Sequence, residues 1–274
     1  MVKRAVLIGI NYIGSDNALR GCINDIRNIY KRLTATGFTE FIILHDGGVE
    51  DFPEAQDVKM PTGDNIRAAL KQIISDAHNG DTVFWHYSGH GSNLADQMSA
   101  TGAWARKDEK DGRDETICPV DYDPEKPDAG FIRDDELRWI LCEHDKNIKL
   151  RVVLDCCHSG TGLDLPYMWR YYTRSSEESS PLDKDVIFIS GCKDDQTSAD
   201  AQDDAGDPSG ALTWALLKSL KEIDVATAKS KKPVKYTWKD LVELIRYKLR
   251  RGGYDQIPQL CVCKKLDVVG AVDL

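Results

Sequence analysis

The chain has no long hydrophobic run. Its apolar stretches, such as residues 5–10 (AVLIGI), fall far short of the roughly 20 residues that span a bilayer, so no membrane-spanning helix and no membrane partner is expected. The opening MVKRAVLIGINY lacks the long apolar core and small-residue cleavage site of a secretory leader, and it reads as a strand. Positive charge is not in excess: 36 Lys and Arg stand against 45 Asp and Glu, a formal net charge of −9. A nucleic-acid binder normally carries a basic stripe. The one basic-rich stretch, residues 229–235 (KSKKPVK), is short, so no nucleic-acid partner is expected. Cysteine is sparse, eight in 274 residues, too few for a disulfide scaffold of this length. Several cysteines lie in apolar strand-like runs, as buried thiols do, which with no leader indicates a reducing compartment, the cytoplasm. There is no fixed-period repeat, no heptad pattern and no HExxH spacing, which sets aside solenoids, coiled coils and a zinc peptidase of that type.

What is present is the composition of a folded protein. Hydrophobic residues make up 41% and charged residues 30%, too apolar for a disordered chain. The acidic excess suits plain solubility, a basic ligand or a hard cation. Short β-branched and aromatic runs at 3–9, 40–45, 82–87, 149–154, 185–190 and 258–263 read as strands. Residues 62–79 and 236–250 place apolar side chains at helical spacing, and 22–35, 134–143 and 209–222 also read as helices. The alternation predicts an α/β fold: one mostly parallel central sheet of about six strands, flanked by helices on both faces. Ligands in such sheets bind beyond the carboxyl ends of the strands. The polar stretches 92–130 and 170–184 interrupt the pattern as loops.

Two strand ends carry reactive residues. Val83–Tyr87 runs into Ser88-Gly89-His90-Gly91, and Val152–Leu154 runs into Asp155-Cys156-Cys157-His158-Ser159-Gly160. Parallel neighbours would bring both ends to one rim and place a thiol beside an imidazole. That is the arrangement of a Cys/His pair, in which the imidazole handles the thiol proton and the thiolate attacks. Gly91 and Gly160 permit turns that a side chain would block, and the amides of Gly91 and Cys157 could form an oxyanion hole. A His-Gly at one strand end, or a Cys pair in one apolar run, is usually structural when found alone. The two together favour catalysis.

At these residues the sequence resembles the metacaspases, caspase-like cysteine peptidases. YSGHG (87–91) and DCCHSG (155–160) resemble their His and Cys boxes. LRGCINDI (19–26), DETICPVDY (114–122), IRDDEL (132–137), ISGCKDDQTSADA (189–201) and QIPQL (256–260) resemble further family segments, in the expected order over nearly the whole chain. The resemblance implies a caspase-like three-layer sandwich and a single domain. Residues 1–170 would form a large-subunit-like part, 171–184 a mobile linker and 185–274 a small-subunit-like part. It makes His90 the imidazole partner and Cys157 the nucleophile. Strand alternation alone leaves Cys156 open, and His158 is a competing imidazole close along the chain.

The resemblance further implies a P1 pocket for Arg or Lys at Cys22, Asp25, Ser88 and Asp155. Two carboxylates there could hold a guanidinium by charge-assisted bonds. It implies Ca²⁺ at Asp114, Asp134, Asp135 and Asp164, because calcium takes six to eight oxygen ligands. Asp134 and Asp135 also suit a helix start. Arg170, Arg174 and Lys184 offer basic self-cleavage positions in a polar loop. One class of the family carries a prodomain and another a long linker between the two parts. This chain begins two residues before its first strand and has a short 170–184 loop, so it resembles the catalytic core of the first class. The expectation is a monomeric, calcium-dependent cysteine endopeptidase acting on protein or peptide substrates after Arg or Lys. The alternative is a non-catalytic caspase-like scaffold.

Overall fold

A computed structural model describes residues 1–52, 58–95, 113–123, 125–126, 130–157, 163, 165–169, 183–191, 200–203, 205–230 and 234–274. In chain order the first half contains β1 (Lys3–Gly9), α1 (Cys22–Ala35), β2 (Glu40–His45), β3 (Val58–Lys59), α2 (Gly63–Asp76), β4 (Thr82–Ser88), β5 (Gly91–Ala95), β6 (Arg113–Ile117), β7 (Ile132–Arg133) and α3 (Asp134–Cys142). The second half contains β8 (Lys149–Asp155), β9 (Tyr167–Trp169), β10 (Asp185–Ser190), β11 (Asp200–Gln202), β12 (Pro208–Gly210), α4 (Ala211–Lys229), α5 (Trp238–Gly252) and β13 (Gln259–Val262).

The central sheet runs β3-β2-β1-β4-β8-β10-β13-β9. Pairing is parallel from β3 through β10, and antiparallel at β10–β13 and β13–β9. Strands buried on both faces need apolar side chains in succession. Ala5 through Ile8 on β1 and Val83 through Trp85 on β4 meet that demand, each almost fully buried. Helices cover both faces. Ile66, Leu70 and Ile73 of α2 and Leu137 and Leu141 of α3 pack on one side. Ile26 and Ile29 of α1, Leu212 and Leu216 of α4, and Leu241 and Ile245 of α5 pack on the other. Each such buried Leu or Ile contributes about 1.5–3 kcal/mol of burial. The fold is the expected α/β three-layer sandwich.

Local chemistry sets the helix ends. The Thr62 side chain accepts the Asn65 N–H to start α2. Thr237 and Asp240 form a capping box at the start of α5, and Gly253, with φ of 81°, ends it.

The structure corrects three expectations. Among the described residues the sheet has eight strands where about six are expected, because β3 and β9 are too short to show an apolar period. The strand at 258–263, expected from the sequence to be the sheet's edge, is not one: β9 pairs Leu260, Cys261 and Val262 with Trp169, Met168 and Tyr167. The polar stretch 92–130 is not all loop, since β5 and β6 pair antiparallel and β7 joins them in a three-stranded sheet. The segments 171–182, Arg170 and Arg174 lie outside the described residues.

Candidate active site

Period-two alternation decides what each strand end presents. On β8, Leu150, Val152 and Leu154 face the α2/α3 core, and Cys156 continues that face with 1% exposure. Asp155 points the other way, to the first turn of α4. Cys157 follows the strand and is half-buried. Cys156 is thus a packed core thiol, and Cys157 is the accessible one.

The neighbouring strand ends beside it. Ser88 pairs with Asp155 in the β4–β8 register, and the Gly89 N–H points at the Asp155 carbonyl at 3.4 Å. His90 and Gly91 therefore reach the rim beside Cys157. A Cβ built on Gly91 would collide with the Cys157 carbonyl oxygen and lie 3.3 Å from the Cys156 sulfur. Only glycine allows the two backbones to approach so closely.

His90 is held from several sides. Its Nε2 lies 2.7 Å from the Asn17 carbonyl oxygen. Its backbone N–H donates to the Tyr12 hydroxyl at 2.9 Å, and its carbonyl accepts from the Tyr87 hydroxyl at 2.7 Å and the Cys118 N–H at 3.1 Å. The Tyr12 ring lies 4.6 Å from the imidazole, centroid to centroid. Tyr12 has φ of 50°, a left-handed conformation that costs a bulky residue of order 1–3 kcal/mol. Its hydroxyl offsets this by donating to the Cys118 carbonyl at 2.6 Å while accepting from His90. Burial pushes the Tyr12 and Tyr87 phenols well above their ordinary values, so both stay neutral. Burial likewise pushes the Cys118 thiol up to about 12, with the neighbouring Cys157 adding to the rise.

The four residues expected to form a P1 site come together on the α1/α4 face. Asp25, on α1, accepts hydrogen bonds from the Ser88 hydroxyl at 2.7 Å, the Ser209 hydroxyl at 2.6 Å and the Gly210 N–H at 3.0 Å. Asp155 accepts the N–H and hydroxyl of Thr213, both at 2.8 Å. A Cβ on Gly210 would collide with the Asp155 carboxylate and stand 2.9 Å from that of Asp25, so the two acids flank this glycine. Asp25 is 0% exposed and Asp155 3%. Burial first, then the Asp155 charge, pushes the Asp25 carboxyl up to about 8. Cys22 is buried in the first turn of α1, and burial pushes its thiol up as well. Behind them, His86 Nε2 meets the Thr213 hydroxyl at 3.0 Å. That hydroxyl already donates to Asp155, so the imidazole donates to it. Burial lowers the His86 pKa to about 3 and keeps the ring neutral.

Three of the four candidate calcium ligands are described. Asp114, Asp134 and Asp135 are all buried, on β6 and the first turn of α3. Asp114 is ion-paired with Arg133. Asp134 accepts the Glu115 N–H at 3.0 Å and the Asp135 N–H at 2.9 Å. The helix N-cap position falls to Arg133 rather than to Asp134. Buried carboxylates on adjoining elements have the hard-oxygen chemistry calcium requires. Among the described residues, however, no three His, Cys, Asp or Glu side chains converge as a metal cage. Asp164 lies outside the described residues, as do His158 and Gly160. Lys184 is half-buried, its ammonium on the His144 carbonyl.

Sequence reasoning missed Tyr12, Asn17, Ser209 and Thr213. Tyr12 and Asn17 follow the carboxyl end of β1, whose Gly9 pairs with Ser88. The strand-end rule could have drawn attention to that loop. Ser209 and Thr213 lie some 180 residues from Asp25 in sequence, and nothing local marks them.

A mixed sheet between helix layers, with His90 and Cys157 on one rim and two carboxylates behind it, defines a caspase-like α/β protein. The family described as metacaspase, peptidase C14 domain, matches residues 3–166. Metacaspase-1 of Mycosarcoma maydis is 32% identical, and the match covers 97% of this chain and 71% of that protein. Metacaspase-1B of Aspergillus fumigatus is 33% identical, with 97% and 71% covered. The crystal structure of protein GSU0716 from Geobacter sulfurreducens shares the fold, with a TM-score of 0.62 at 20% identity over 99% of this chain and 98% of that one. The chain belongs to the metacaspase family, a family of cysteine peptidases that act on protein substrates. None of the described helices is long and apolar enough to cross a membrane.

Proposed function

We propose that the protein is a calcium-dependent cysteine endopeptidase that cleaves after Arg or Lys. One observation carries the reading. The β4–β8 register sets His90-Gly91 against Cys157 at the rim, and Asp25 of α1 meets Ser88 and Asp155 of the same strand ends on the α1/α4 face. In this reading the Cys157 sulfur attacks the scissile carbonyl carbon, and the amides of Gly91 and Cys157 hold the oxyanion. His90 delivers the thiol proton to the leaving amine and then activates the water that hydrolyses the thioester.

The P1 cation goes to Asp25 and Asp155, with Ser88 and Cys22 beside them. Two carboxylates in low dielectric favour a cation over any neutral side chain. Because Asp25 holds a proton up to about pH 8, the incoming cation displaces that proton. Asp114, Asp134, Asp135 and Asp164 would hold calcium. Self-cleavage would fall at Arg170, Arg174 or Lys184, and Lys184 would first have to leave the His144 carbonyl.

The test is covalent. An Arg-bearing peptidyl chloromethyl ketone should alkylate one residue, Cys157, with loss of chloride. Peptide mapping that finds the adduct on Cys156, or no adduct in the folded protein with calcium present, would overturn the assignment.

A further inference from the structure

Beside His90 lies a cavity of about 430 Å³ that no step above uses. Leu94, Cys118, Tyr122 and Phe131 line it, together with His90, Gly91 and the polar Asn17 and Ser92. Cys118, Tyr122 and Phe131 pack on the α2/α3 core, whereas Asp25 and Asp155 are held by α1 and α4 on the opposite face. The strand ends that carry His90 and Cys157 thus separate the buried carboxylate pair from this cavity, whose described lining is uncharged.

We propose that this cavity is the subsite for the residue that follows the scissile bond, and that it takes a bulky apolar or aromatic side chain. The inference rests on the peptidase reading above. There, the P1 side chain goes to the carboxylates and His90 protonates the leaving nitrogen. That nitrogen belongs to the next residue, so the side chain of that residue lies against the imidazole. The cavity opens from the same imidazole.

The lining sets the chemistry. Among the described residues that line it there is no Asp, Glu, Lys or Arg, so a charged side chain would lose water there and meet no opposite charge among them. Phe131 stands edge-on to Tyr122 at 5.3 Å, Tyr122 edge-on to Tyr12 at 6.0 Å, and Tyr12 reaches the imidazole at 4.6 Å. Of this row, Tyr122 and Phe131 line the cavity and offer ring surface to an incoming aromatic group, with Tyr12 buried behind them. The Asn17 side-chain amide donates to the Tyr122 hydroxyl at 3.1 Å and fixes the wall. The Cys118 thiol, with its pKa pushed up to about 12, stays protonated and acts as an apolar surface.

The test is a set of internally quenched peptides identical except after the scissile Arg, where Phe, Leu, Gly, Asp or Lys stands. The full chain with calcium should cleave the Phe and Leu peptides with kcat/KM about tenfold or more above the Gly peptide, the usual return for filling an apolar subsite. Phe131→Ala should bring the Phe-to-Gly ratio toward one. Leu94→Lys should raise the Asp-to-Phe ratio. Both readouts are ratios within one enzyme preparation, so a general loss of activity does not imitate them. Cleavage with equal rates, or with a preference for Gly or a charged residue, would overturn this inference alone. Wild-type ratios unchanged in both variants would also overturn it. No cleavage of any peptide by folded protein would overturn the peptidase reading and this inference together.

Discussion

The Nε2 atom of His90 lies 2.7 Å from the carbonyl oxygen of Asn17. A carbonyl can only accept, so Nε2 carries the proton, and Nδ1 is the basic nitrogen of the neutral ring. The loop after β1 therefore fixes the tautomer of the candidate catalytic histidine. Tyr12 fixes its place, through the backbone N–H and the tilted ring beside the imidazole.

Tyr12→Phe tests that positioning. It keeps the ring but removes the acceptor for the His90 N–H and the donor to the Cys118 carbonyl. Leaving such buried groups unpaired costs about 1–3 kcal/mol. We expect a lower melting temperature and a kcat reduced about tenfold, with KM for Arg peptides little changed. Equal losses in kcat/KM from KM alone would argue against it.

Gly91→Ala should be far more damaging than a glycine-to-alanine change on a surface. The new methyl meets backbone, the Cys157 carbonyl, and not a flexible side chain. Overpacking of this kind costs about 1–3 kcal/mol, and the strain falls on the nucleophile. Activity should drop by about 100-fold or more, while circular dichroism still reports a folded protein. Near-wild-type rates would contradict the close approach.

The acid pair predicts a pH dependence with a definite sign. Folded Asp25 keeps its proton to about pH 8, whereas its ordinary value is 3.8. Between these values the folded state binds more protons than the unfolded one, so the stability from this group falls as the pH rises. Asp25→Asn removes this titrating group. The wild-type melting temperature minus that of the variant should decline from about pH 5 to about pH 9. A flat difference would sink the claim.

The structure also explains which parts of the molecule could be read in advance. Among the described residues, β1, β2, β4, β8, β10 and β13 and the five α-helices carry their signal locally, in apolar runs and in helical spacing, and helix 22–35 matches its expected bounds. The strands β3, β9, β11 and β12 are two or three residues long, and that is too short for a period. The β5–β6 pairing is masked by polar composition. His90 and Cys157 were legible because each ends an apolar strand. Ser209, Thr213 and Tyr12 were not, because their meaning arises only when distant elements meet.

Calcium can be removed. In the proposed reading, chelator should abolish peptide cleavage reversibly. Asp135→Asn should raise the calcium concentration for half-maximal rate by about tenfold, the scale of a weakened ligand set. Initial-rate titrations, alongside calorimetric calcium binding, check both. Rates in chelator equal to those in calcium would remove the metal from the account and leave the peptidase in place.

The most direct measurement is the initial rate on matched peptides with Arg, Lys or Asp at P1, in millimolar calcium, for wild type, His90→Ala, Cys156→Ala and Cys157→Ala. The account predicts cleavage of the Arg and Lys peptides and not the Asp peptide. That cleavage should disappear with Cys157 or His90 and survive replacement of Cys156. Cleavage that survives Cys157→Ala, or no cleavage by folded wild type, would contradict the account.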